Sequence, residues 1–77
     1  MEQKLKESFA ESLNIDVNKV NIGLKYQAIP EWDSISHMML ISQIEEDFDI
    51  STDTDDVIDL SSFEKAIEIL SKYGVNF

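Results

Sequence analysis

The sequence predicts a small all-α domain: three main helices, one short helix ahead of the last, and a long loop between the first and second. Three observations carry that expectation. Apolar residues recur at helical spacing in separate segments, polar residues suited to capping stand where those segments begin, and only one strand-like run exists, with no second to pair with it.

The first helix is expected from roughly Gln3 to Leu13, where Leu5, Phe9 and Leu13 form a stripe at four-residue spacing. Between Asn14 and Asp33 the pattern changes, and Val20, Ile22, Leu24 and Tyr26 alternate with polar residues and Gly23. A lone strand would leave its backbone groups unpaired, so this stretch reads as an ordered loop folding back onto the helices. Pro30 holds Ile29 extended and Trp32 is expected to anchor the loop, so the second helix starts near Ser34. At about 100° per residue, His37, Leu40, Ile41, Ile44 and Phe48 share one face, while Ile35, Met39, Ser42 and Glu46 share another. Ser51 or Thr52 is expected to cap a short helix ending around Leu60. Ser61 and Glu64 have capping-box spacing ahead of Phe63, Ala66, Ile67, Leu70 and Tyr73, and Gly74 closes the last helix.

The 77 residues read as a single domain, 1–77, too small for a deeply enclosed site. With no Cys, neither a disulfide nor a thiolate metal site can staple it, and apolar packing must supply the stability. The hydrophobic content of 43% separates it from disordered acidic tails. Sixteen acidic residues against six basic ones give a net charge of −10, which disfavours nucleic acid and anionic membrane surfaces and favours basic partners. No apolar run approaches the ~18 residues of a membrane span, nor does the start resemble a signal peptide. A cytoplasmic monomer is expected.

Chemistry concentrates in Pro30-Glu31-Trp32-Asp33-Ser34-Ile35-Ser36-His37. A serine hydrolase would need a base beside Ser34, yet the one histidine, His37, falls on the apolar face, and no G-x-S-x-G elbow is present. No catalytic residue is therefore assigned. Asp53, Asp55 and Asp56 crowd together, but Val57 and Ile58 stand where a calcium loop needs an oxygen ligand and a glycine, so no metal site is assigned either. Asp33 or Ser34 could cap the second helix, and a hydroxyl at that helix start is also placed to carry a phosphodiester near free amides.

These residues resemble the acyl carrier proteins and the related peptidyl carrier domains, whose signature is D-S-L at the start of the second helix. Here Asp33-Ser34-Ile35 leads into "SHMMLISQIEEDFDI", and the final "SFEKAIEIL", the length, the acidity and the helix order agree along nearly the whole chain. The resemblance implies that a phosphopantetheinyl transferase attaches 4'-phosphopantetheine from coenzyme A to Ser34. Acyl groups would then ride as thioesters on the arm. It also implies that loading and transferring enzymes with basic patches dock on Asp33, Ile35, Met39, Glu45 and Glu46. A cargo chain would lie in an interior lined by Met38, Ile41, Ile44, Ile58 and Ile67. Ser36 and Met39 depart from the acids common in fatty-acid carriers, and Ser42 from a large apolar residue, so a carrier of a specialised pathway is implied. A peptidyl carrier, or an acidic adaptor without a prosthetic group, are the alternatives.

Overall fold

A computed structural model describes residues 2–77 as an all-α bundle: α1 (Glu2–Leu13), a 3-10 turn (Val17–Lys19), α2 (Ser34–Phe48), α3 (Thr54–Asp59) and α4 (Phe63–Lys72). No strand forms among the described residues, and none of their helices is long and apolar enough to cross a membrane.

Helix α1 buries the expected Leu5, Phe9 and Leu13, and also Ser8, whose hydroxyl lies 3.1 Å from Lys4 O and 2.5 Å from Asp47 Oδ2. That contact ties α1 to the far end of α2, its chief packing partner. Hydrogen bonds from Ser8 and then Gln43 hold the Asp47 carboxyl below the usual carboxylate range. Asn14 ends α1 in the left-handed region, with Ile15 N bonded back to Ala10 O.

The 14–33 connection is ordered by its own apolar residues. Val20, Leu24 and Trp32 are buried, while Ile22 is exposed, so the alternating pattern does not mark a continuous face. The strand-like signal does find a partner, but only as one isolated bridge. Tyr26 N donates to Ser61 O and Phe63 N to Leu24 O, clamping the loop to the α3–α4 junction.

That bridge moves one expected cap. Ser62 is extended and paired with Lys25, so α4 starts at Phe63 and the cap is Ser62, which accepts from Lys65 N, rather than Ser61. A second expected cap is displaced for a similar reason. The amide and hydroxyl of Thr52 both donate to Glu45 Oε2 at 2.8 Å, which holds residue 52 outside the helix and makes Asp53 the N-cap of α3. Gly74, at φ +92°, closes α4 as expected: Gly74 N donates to Ser71 O and Val75 N to Leu70 O.

One continuous core joins Leu5, Phe9, Trp32, Leu40, Ile44, Leu60, Phe63 and Leu70. Of the expected α2 face, Leu40, Ile41 and Ile44 are buried and His37 and Phe48 half-buried. The expected cargo lining does not assemble. Ile41 and Ile44 are core and Ile67 is half-buried, but Met38 and Ile58 point out of the bundle, 58% and 73% exposed.

Candidate functional site around Ser34

The start of α2 is organised by the side chains on either side of Ser34. Asp33 is the N-cap, and its Oδ1 accepts from the amides of Ile35 (3.1 Å) and Ser36 (2.9 Å). The Ser36 hydroxyl accepts from Asp33 N and has two acceptors for its one proton, Glu31 O and Asp33 Oδ1, completing a capping box with serine at the third position. The Ser36 amide, then its hydroxyl, hold the Asp33 carboxyl below its ordinary value.

Trp32 and His37 form a second device. The indole Nε1 donates to His37 Nδ1 at 3.0 Å, and His37 Nε2 lies 2.8 Å from Val57 O. Indole can only donate and a carbonyl can only accept. His37 Nδ1 therefore carries a lone pair and Nε2 carries the proton, giving a neutral imidazole with both nitrogens occupied. Val57 O is one of the last carbonyls of a six-residue helix, without an intrahelical partner, so His37 finishes α3 as well as anchoring α2. The rings of Trp32 and His37 meet edge to edge through that hydrogen bond, centroids 6.1 Å apart and planes within 21°, and Phe9 meets Trp32 edge-on at 5.4 Å and Phe63 at 5.2 Å. An aromatic column thus runs from this clasp into the core.

Ser34 remains. Its side chain is exposed, and its hydroxyl forms no hydrogen bond with a described residue. Beside it opens a cleft of about 290 Å³ between α2 and α3, rimmed by Ser34, Met38 and Ile58, with half-buried Tyr26, His37 and Val57 and buried Leu60 lying deeper. Ile35 (74% exposed) and Met39 (57%) continue the apolar surface along α2.

Helix α3, the outer wall of that cleft, is fixed at its other side. Buried Asp56 accepts from Lys72 Nζ at 2.6 Å and from the Tyr73 hydroxyl at 2.5 Å, and the Tyr73 oxygen accepts from Asp53 N. The Lys72 hydrogen bond first, then Tyr73, hold the Asp56 carboxyl below the usual range, while Asp56 pushes both Lys72 and Tyr73 up. Asp53 and Asp55 stay exposed and do not converge with Asp56, and no metal-binding cluster occurs among the described residues.

The residues expected at a partner face divide in two. Ser34, Asp33, Ile35, Met39 and Glu46 are exposed on the start and outer face of α2, but Glu45 is turned to Thr52 and serves the α2–α3 junction. The free-amide expectation also changes, because Asp33 already occupies the amides of Ile35 and Ser36. Sequence reasoning overlooked Tyr26, Val57 and Leu60 as neighbours of Ser34. Only the bridge of the loop to Ser62 brings Tyr26 there, and no local pattern announces that pairing. Compared with known protein families and with curated proteins, the chain matches none.

Proposed function

We propose that this chain is a carrier protein, in which Ser34 takes a 4'-phosphopantetheine arm from coenzyme A and presents acyl groups on it to partner enzymes. One observation carries the reading: between Trp32 and His37 every polar side chain is held by a neighbour except Ser34, which stands exposed at the mouth of an apolar cleft. An exposed primary hydroxyl beside a hydrocarbon-walled groove fits an arm joined through a phosphodiester. When bound, the arm supplies a thiol, which the chain, having no Cys, lacks.

The chain's own residues position the serine without activating it. The lone pair of His37 is engaged by Trp32, so the Ser34 proton must be removed by a base of the modifying enzyme. With Asp33 on the first-turn amides, the phosphodiester would sit in solvent, adding charge to a surface already at −10. A transferase or acyl-transferring enzyme with a basic rim and an apolar centre complements that charge and the exposed Ile35 and Met39. The cytoplasm, where coenzyme A is available, is the proposed location.

Incubation with coenzyme A and a phosphopantetheinyl transferase, followed by intact-mass measurement, tests the reading. One added phosphopantetheine is expected in the wild type and none in Ser34→Ala; modification persisting in the variant would refute it. The exposed apolar strip also suits an adaptor without a prosthetic group, for which Ser34→Ala would leave partner binding intact.

A further inference from the structure

We propose that His37, clasped between Trp32 and Val57, limits the cargo of Ser34 to a short acyl group lying in the outer cleft and keeps longer chains out of the bundle interior. This rests on the carrier reading. A chain leaving Ser34 for the interior must pass between α2 and α3, and there His37 joins the two helices through Val57 O while its other nitrogen is bound to Trp32. Behind His37 the space is filled: Trp32, Phe9, Phe63 and Leu40 are all at most 1% exposed. The 290 Å³ outside the clasp, at ~30 Å³ per non-hydrogen group, holds roughly ten such groups. That suffices for a thioester and a short chain, and not for a long fatty acid. The walls offered by Met38, Val57, Ile58 and Leu60 are hydrocarbon, so the cleft selects an alkyl cargo over a charged aminoacyl one.

The experiment loads Ser34 with amide-linked, non-hydrolysable butanoyl, octanoyl, dodecanoyl and hexadecanoyl pantetheine arms, verified by intact mass. It then measures the melting temperature and methyl NMR shifts of each product. Each methylene withdrawn from water adds stability until the cleft is full. The melting temperature should therefore rise from butanoyl to octanoyl and then level off, with shifts at Met38 and Ile58 and none at Ile44 or Leu70. In His37→Ala, which frees only the room of the lost imidazole against Trp32, the levelling-off should move from octanoyl to dodecanoyl and the shifts should extend to the Leu40 methyls. His37→Gln, which can both accept from Trp32 and donate to Val57 O, should restore the short limit. A wild-type protein whose stability climbs through hexadecanoyl, with shifts at Ile44 and Leu70, overturns the proposal even if His37→Ala fails to fold, and leaves the carrier reading standing. A His37→Ala profile equal to the wild type also overturns it. Absence of any mass gain at Ser34 refutes the carrier reading and this proposal with it.

Discussion

Replacing His37 with Ala tests the clasp as a stability element. The substitution strands the indole N–H of fully buried Trp32, and an unsatisfied buried donor costs about 1–3 kcal/mol. Val57 O borders the open cleft, so water can replace its lost donor at little cost. Losing the half-buried imidazole, whose ring also packs 5.3 Å from that of Tyr26, adds about 1 kcal/mol. The sum, about 2–4 kcal/mol, is a large part of the roughly 4–12 kcal/mol expected for a chain of this length. It corresponds to a melting temperature lower by roughly 8–32 °C. Urea denaturation followed by far-UV circular dichroism gives the free energy, and Trp32, the sole tryptophan, reports the clasp by fluorescence. In a double-mutant cycle with Trp32→Phe, the two losses should fall short of additivity by about 1–2 kcal/mol, because each removes the same hydrogen bond. A His37→Ala variant within about 0.5 kcal/mol of the wild type, or strict additivity, would show that the two rings are only neighbours.

Two further outcomes follow from the other end of the molecule. Asp56, held low in the fold, contributes fully above its unfolded pKa of about 3.9 and loses that contribution as pH falls through the lower folded value. Lys72 and Tyr73, both raised, lose theirs only as pH climbs past about 10, so the protection factors of the α3 amides, taken against their intrinsic exchange rates, should be highest from about pH 5 to 9. Asp56→Asn should flatten the acid limb, and an unchanged acid limb would rule the latch out. Gly74→Ala should cost about 1 kcal/mol, measured as a melting temperature lower by about 4–8 °C. A Cβ there meets nothing within 4 Å, so the cost lies wholly in the backbone at φ +92°, and an unaltered melting temperature would contradict it.

What was legible in the sequence was what local chemistry decides. The stripes Leu5-Phe9-Leu13 and Leu40-Ile41-Ile44 mark buried faces because each depends only on helical period and on a core lying to one side. The Asp33 cap and the Gly74 terminator are readable for the same reason, since their partners lie within a few residues. The misplaced features all depend on distant partners. Thr52 and Ser61 are good local caps, but Glu45 holds the one and Tyr26 the other, across 7 and 35 positions. The cargo lining was misread likewise: Met38 and Ile58 have core-like chemistry, and only the placement of short α3, set by His37 and by Asp56 with Lys72, turns them towards Ser34's cleft.

The cap and the attachment point, alternatives for one serine in the sequence, become a division of labour between neighbours. Asp33 lies in extended backbone one position before the helix, from where one carboxylate oxygen reaches both free amides; Ser34, already helical, cannot cap its own first turn as an N-cap does. Were Asp33 unable to accept those bonds, a small backbone shift placing Ser34 in the N-cap position would make its hydroxyl the cap. Helix capping and phosphodiester attachment would then compete for one oxygen. The carboxylate that caps α2, kept ionised by the Ser36 amide and hydroxyl, is thus what leaves the serine available. Similarly, the indole that engages the lone pair of His37 keeps the neighbouring imidazole from drawing on the same proton.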